Sequence, residues 1–411
     1  MRPYCVRIRI IATFMMIYTS IAFSQAQQKT PPPNPYRQTD QVMTAMPAAA
    51  GNSVQEVATY IHDHFSKEAE QVRAVFFWVT KNIDYDVANM FAINFYENSD
   101  DKLKKVLASR KGICEHFALL FTSICKQLNI EAYTIEGYTK QNGFTDYIPH
   151  AWCAARIDGS WYLFDPTWGS GYISNKQFVK KLNNDYYLVS PGKLIRSHMP
   201  FDYLWQFLNY PVTTAQFYEN KAVQNQGQPY FNYPDSIRAY NRAGLEDQLR
   251  GTIYRIEKNG VGNAMVFDRL HHVKLQLENL RIKEQNEKQQ AAVDSLNQIT
   301  DDYNNAIILI NQYIDYRNHQ FTPAKPDEAI KEMFDGATRI FTGITERLSK
   351  VDASFSNVAS AKASLQKSMR SLEPQLKEQK DWLDEYLSKS KSKRKAMFYE
   401  RKLTWFGIPL N

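Results

Sequence analysis

One dipeptide, Asp158-Gly159, limits this chain more than any other feature. It lies between HAWCAARI and SWYLFD, two runs that alternate large apolar with small or polar residues. Asp-Gly between such runs predicts a two-residue β-hairpin turn, with both turn residues at positive φ. The turn pairs Ile157 with Ser160 and so fixes the register of everything beyond. Asp165 then faces Trp152, and His150 lies two residues further along the same face. That diagonal spacing, about 7 Å between backbones, is within side-chain reach. A turn one residue longer would put the two on opposite faces. The hairpin therefore brings a histidine and a carboxylate together. We expect strands over His150–Ile157 and Trp161–Asp165, another over Glu131–Lys140 ending at the Asn142-Gly143 turn, and a further one over Tyr186–Val189.

Upstream, GICEHFALLFTSICKQL carries Cys114, Phe117, Ala118, Phe121, Cys125 and Leu128 at helical spacing. Cys114 thus falls in the first turn of a helix, on its core-facing side. Free N–H groups and the positive end of the helix dipole favour a thiolate there. A lone cysteine on such a stripe is ordinarily inert core. Together with a positioned His–carboxylate pair, it has what nucleophilic catalysis needs: a thiol, a base to take its proton, and an acceptor to orient the base.

These residues carry a family resemblance. GICEHFALLF, HAWCAARIDGSWYLFDPTWG and NDYYLVSP...SHMPFDYLWQ resemble the transglutaminase-like superfamily of papain-like fold, in its bacterial branch that also resembles the kyphoscoliosis peptidase. VRAVFFWVTKNIDYD is similar to that family's first conserved helix. The resemblance covers roughly Ser53 to Pro211. It implies a triad of Cys114, His150 and Asp165, in the family's chain order. It also implies an aromatic near the cleft, for which Trp78 is one candidate; a plain core tryptophan is the other reading. Expected helices at Ser53–Phe65 and Glu68–Asn82, with the catalytic helix packed on an antiparallel sheet, make this an α+β domain.

The ends of the chain read differently. Met1 to Ala26 has Arg2, Arg7 and Arg9, then an apolar run from Ile10 to Phe23 and small residues. That is the pattern of a secretory signal peptide, which implies export to the periplasm or beyond the cell. Residues 27–52 begin Pro- and Gln-rich and read as a linker. The transglutaminase-like domain is expected over 53–212, and a Gln-, Asn- and Tyr-rich connector over 213–234. From 235 to 411 we expect an all-α, coiled-coil-like helical bundle. Asn263–Thr322 contains neither Gly nor Pro, and its apolar residues alternate by three and four. Pro323 and Pro326 mark a reversal, and Pro374 a kink. Such stripes serve either as bundle core or as a face for self-association.

The formal net charge is +7. The leader holds three of those positives, and Lys389–Lys402 holds seven basic residues against Glu400. The remainder is slightly acidic, which together with the lack of any nucleic-acid motif excludes nucleic acid as a partner. The basic end, with Phe398, Tyr399, Trp405 and Phe406, either docks its aromatics on the bundle or meets an anionic membrane surface or cell-wall polymer. Cys114 and Cys125 lie about 16 Å apart along one helix, too far for a disulfide. Cys153 is expected on the sheet face away from that helix, which disfavours a Cys125–Cys153 bridge. Cys114 and His116 lack the paired spacing of a zinc site, and no cofactor motif is present. The function expected is a thiol enzyme acting on peptide or glutamine amide bonds of a peptide or protein, hydrolase rather than crosslinking transferase. The alternative is a non-catalytic peptide- or wall-binding module on a helical scaffold.

Overall fold

The computed structural model describes residues 34–92 and 97–399. The expected signal peptide, the first part of the expected linker, and Trp405 and Phe406 lie outside the described residues. Two units result. The first holds the residues up to Pro200 together with Trp205–Val212 and Gln216–Tyr230, and the second holds Phe201–Leu204, Thr213–Ala215 and the chain from Phe231.

In the first unit, α1 (Arg37–Thr44), α2 (Val54–His64) and α3 (Glu68–Asn82) precede a parallel pair, β1 (Asp84–Tyr85) and β2 (Lys111–Gly112), with α4 (Ser99–Ser109) between its strands. Then come α5 (Cys114–Gln127), β3 (Ala132–Gln141), β4 (Phe144–Ile157) and β5 (Ser160–Phe164). The short α6 (Pro166–Ser170), the hairpin β6 (Gly171–Ser174) and β7 (Gln177–Lys180), α7 (Pro191–Leu194), β8 (His198–Pro200) and the Gln216–Tyr218 part of α8 (Thr214–Tyr218) complete it. The main sheet is antiparallel, in the order β5-β4-β3-β8.

The Asp-Gly turn sets the register as its sequence dictates. Asp158 and Gly159 have φ of 48° and 82°, and Ile157 pairs with Ser160, then Arg156 with Trp161, out to Cys153 with Phe164. Side-chain alternation then sorts β4. Ala151, Cys153, Ala155 and Ile157 share a core with Phe117, Ala118, Phe121 and Cys125 of α5. His150 and Trp152 are on the other alternation. This corrects the expectation for Cys153: its thiol reaches the Ala118 carbonyl of α5 at 3.6 Å, so it faces the helix. Cys125 and Cys153 nonetheless remain free thiols. α5 lies with Ala118 against Cys153, and with the Thr122 hydroxyl 3.0 Å from Thr134, Cys153's partner on β3. One turn before Ala118, Cys114 therefore falls at the His150 end of the strand.

β8 docks where Gly137 has no side chain. A Cβ there would come within 2.1 Å of the Met199 carbonyl oxygen and 2.5 Å of the Trp152 ring. Gly137 pairs with His150 on one side and Pro200 on the other, so this glycine lets the strands carrying His150 and His198 close on β3.

Three further expectations change. Residues 34–52 are not a bare linker: Met43 of α1 is in the core, and Asp40 forms a bidentate ion pair with the buried Arg73 at 2.8 Å. The connector is not separate either, because buried Phe217 stacks edge-on against Tyr138 and its carbonyl accepts from Lys140. Tyr186–Val189 forms a 3-10 turn over Asn184–Tyr186 and a single bridge from Val189 to Leu163, not a strand.

The second unit is helical: α9 (Tyr233–Arg242), α10 (Leu245–Asn259), α11 (Ala264–Asn318), α12 (Asp327–Lys350), α13 (Ser356–Ser388) and the short α14 (Lys391–Arg394). Tyr313 stacks on Phe334 and Tyr303 on Phe341, so α11 and α12 run antiparallel, as the proline reversal predicts. α13 contains Pro374. Phe398 packs on Phe321, Trp382 and Tyr386, and Arg394 grips Asp327 at 2.7 and 2.8 Å. This part of the basic end docks on the bundle. Among the described residues, no helix is long and apolar enough to cross a membrane.

Candidate active site

Cys114 is the first residue of α5, next to its N-cap Ile113. The first turn has N–H groups without intrahelical acceptors, and the Ile113 N–H is held by His116 Nδ1 at 3.2 Å. Cys114 is 8% exposed and lines a cavity of about 670 Å³ that His150 also lines.

Asp165 is fully buried and caps α6. Its Oδ1 accepts from the N–H groups of Thr167 at 2.9 Å and Trp168 at 3.0 Å. Its Oδ2 takes His150 Nε2 at 2.8 Å and His198 Nε2 at 3.1 Å. Four N–H groups thus converge on one carboxylate. Burial alone would raise its pKa; the charges and hydrogen bonds of His150 and then His198 outweigh this and hold it well below the usual carboxylate range.

Burial would lower the pKa of His150. The adjacent Asp165 charge and hydrogen bond, with contact from Cys114, reverse that and lift it to about 10. His150 therefore carries its proton at neutral pH. Because Nε2 is committed to Asp165, the other ring nitrogen is left for the thiol. Burial pushes the pKa of His198 down against the pull of Asp165, so His198 is neutral. Its Nδ1 lies 2.8 Å from the Ser197 hydroxyl.

Aromatic rings fix both imidazoles. Trp168 lies 5.4 Å from the His150 ring and 4.7 Å from that of His198, and Trp152 lies 6.2 and 5.1 Å from them. Trp78 does not line the cavity; it packs against Gly51 and Arg110. The aromatic that reaches the reactive end is Tyr85. Burial, then the charges at Cys114 and Asp165, push its phenol up so that it stays protonated.

The structure thus brings Cys114, His150 and Asp165 to one place and adds His198, Trp168 and Tyr85, which sequence reasoning missed. His198 stands in the SHMPFD motif, but a three-residue strand has no periodicity to reveal which side chain turns inward. His150, Asp165 and His198 place ligand atoms within 4.8 Å of one another. Each imidazole nitrogen, however, already sits at hydrogen-bond distance from the same carboxylate oxygen, which leaves no gap for an ion between them.

Residues 55–166 match the family model described as the transglutaminase-like superfamily. The chain is 30% identical over 184 residues to kyphoscoliosis peptidase of Homo sapiens, which covers 43% of this chain and 27% of that protein. It is 29% identical over 188 residues to kyphoscoliosis peptidase of Mus musculus, covering 43% and 28%. The chain spans about a quarter of the length of these curated relatives. Among solved structures, a cysteine-protease candidate from Cytophaga hutchinsonii overlaps at TM-score 0.24 and 24% identity, over 38% of this chain and 47% of that one. A structure described as a TGase overlaps at TM-score 0.23 and 22% identity, over 37% and 36%. The matched segment is a transglutaminase-like domain.

Proposed function

We propose that this protein is an exported thiol enzyme that acts on peptide or glutamine amide bonds through Cys114, His150 and Asp165. One observation carries the reading: a histidine bonded at 2.8 Å to a fully buried carboxylate opens onto the same cavity as a cysteine in a helix's first turn. Cys114 attacks the acyl carbon and a C–S bond forms. The oxyanion is met by the Cys114 N–H, with the Tyr85 phenol as a second donor. The C–N bond breaks as His150 gives its proton to the leaving amine. Water or an amine then resolves the thioester, with His150 taking a proton from the attacking group. Water makes the enzyme a hydrolase, an amine makes it a crosslinking transferase, and the likeness to proteins named as peptidases favours the former. Export rests on the leader over residues 1–26, and the helical unit is assigned to location or specificity.

The test is to incubate the full chain with a peptide library, quench in acid, and weigh the fragment attached to Cys114. A thioester-linked acyl group supports the enzyme. Reversible peptide binding with no adduct, and no alkylation of Cys114 by iodoacetamide at pH 6, would instead make the domain a binding module.

A further inference from the structure

In the first unit, a set of exposed apolar side chains meets at the reactive cavity. Tyr147, Tyr172, Ile173 and Leu182 are between 37% and 80% exposed, and all four line the cavity that holds Cys114 and His150. Single exposed hydrophobics are ordinary, but a group of them at the mouth of a reactive cavity marks a surface that a ligand covers. They stand on two separate walls. Tyr147 is on β4 within the register shift of the β3–β4 pairing, between Thr145, which pairs with Lys140, and Pro149, which pairs with Tyr138. Tyr172 and Ile173 are on β6, with Ile173 paired to Phe178 of β7. Tyr85, Trp168 and Tyr186 line the same cavity, with the Trp168 ring 5.4 Å from that of His150.

Charge is sparse on these walls. Beyond the reactive groups, the lining includes one acid, Asp146, and one base, Lys181. Asp146 is already engaged: the same carboxylate oxygen accepts from the Thr139 hydroxyl and from the Gln141 amide, the latter at 3.1 Å. An entering basic side chain would find that acid already bonded, and an acidic one would meet only the exposed Lys181, where a pair in water is worth little against the lost hydration. What such walls do favour is apolar area, with aromatic contacts adding to it.

We propose that this cavity selects a peptide acyl donor bearing a bulky uncharged side chain, aromatic or branched aliphatic, at the residue next to the amide that Cys114 attacks. The inference rests on the thiol-enzyme reading and deepens it. The walls meet the side chain and hold the acyl carbon over the sulfur; Tyr147 and Tyr172 determine selectivity and take no part in bond making.

The test uses the full chain and four peptidyl acyloxymethyl ketones that differ only in the residue beside the warhead: Phe, Leu, Asp or Lys. Labelling of Cys114 is followed by mass, and each rate is divided by the iodoacetamide rate of the same protein. The Phe and Leu probes are expected to react at least about tenfold faster than the Asp and Lys probes. Tyr147→Ala and Tyr172→Ala should each bring that ratio down to about threefold or less. As a second measurement needing no variant, N-acetyl-phenylalanine amide should slow iodoacetamide labelling of the natural protein at concentrations where N-acetyl-aspartate amide does not. Asp or Lys probes that match or outrun Phe overturn the proposal. So does protection of Cys114 by glycan fragments where the phenylalanine amide gives none. Labelling by iodoacetamide without probe selectivity removes this inference alone. No labelling by any reagent removes the thiol-enzyme reading, and this inference with it.

Discussion

His198 Nε2 lies 3.1 Å from Asp165 Oδ2, the oxygen that also receives His150. Being neutral, His198 donates a hydrogen bond without adding a charge that would compete with the His150 cation. Its loss in His198→Ala should leave Asp165 one donor short and open a hole between Trp152 and Trp168. We expect a stability loss of about 1–3 kcal/mol and a lower turnover whose acid limb moves to higher pH, because the carboxylate is held less firmly ionised. His198→Gln, whose amide can donate, should restore the limb in part. pH profiles of kcat/KM for the three proteins check this; an unmoved limb would reduce His198 to packing.

The same cluster sets a pH dependence of stability. His150 is raised to about 10 in the fold. Its contribution is therefore fully present below its ordinary value, about 6.5, and is lost as pH rises through about 10. Asp165 is depressed, so its contribution is present above its ordinary value, about 3.9, and is lost as pH falls further. Both describe one coupled interaction and are not added. Melting temperature should hold a plateau between about pH 4 and 6.5 and decline toward pH 10. Asp165→Asn should flatten the alkaline decline.

The Asp40–Arg73 pair bears on where the domain begins. The side chains are 11% and 1% exposed, and Arg73 also donates to Asn184 at 2.7 Å, next to the loop where the Tyr186 carbonyl holds the Asp165 N–H at 3.0 Å. Asp40→Ala leaves a buried guanidinium without its counter-ion, a change of about 3–5 kcal/mol. A fragment spanning 53–211 lacks α1 and Phe217, so it should unfold at clearly lower urea than one spanning 34–230. Equal midpoints would return residues 34–52 to the status of a linker.

What was legible in the sequence was what a local rule controls. Asp158-Gly159 gives the hairpin register by turn geometry, and the helical stripe after Gly112 puts Cys114 at a helix start. The proline pair at 323 and 326 gives the helix reversal. Asp40 was not legible, because a polar residue in a Pro-rich stretch has no local sign that its partner is Arg73 on another helix. His198 was missed for the same reason: three residues of β8 carry no period, and only pairing across Gly137 brings them inward. The facing of Cys153 was misread because strand alternation says which residues share a face, not which face meets the helix.

The three free thiols among the described residues, Cys114, Cys125 and Cys153, should separate cleanly. Cys125 and Cys153 are fully buried, and burial pushes both thiols well up, whereas Cys114 lines an open cavity. Iodoacetamide on the folded protein at pH 6 should modify Cys114 and leave Cys125 and Cys153 untouched, as read by peptide mass. In denaturant all three should react. Modification of Cys153 at a rate near that of Cys114 would mean that the sheet opens readily over α5.

Substitutions at the reactive residues should rank by what each group does. Cys114→Ala removes the atom that forms the thioester, so turnover of any accepted peptide should vanish. His150→Ala removes the proton carrier on both sides of the reaction and should fall nearly as far. Asp165→Asn keeps the shape but loses the charge that stabilises the imidazolium, and its amide can offer an N–H where Oδ2 now accepts from two histidines. That clash frees His150 to take the wrong tautomer. The expected loss is about 10²- to 10⁴-fold, the upper end being that of serine triads. Asp165→Ala should behave worse in stability than in chemistry, because four N–H groups lose their acceptor at once. Cys125→Ser and Cys153→Ser should keep turnover within about threefold while lowering stability by about 1–3 kcal/mol, the cost of a hydroxyl in an apolar core. Turnover and urea midpoints, measured together on the six variants, separate the two effects. Activity surviving in Cys114→Ala would end the thiol-enzyme reading.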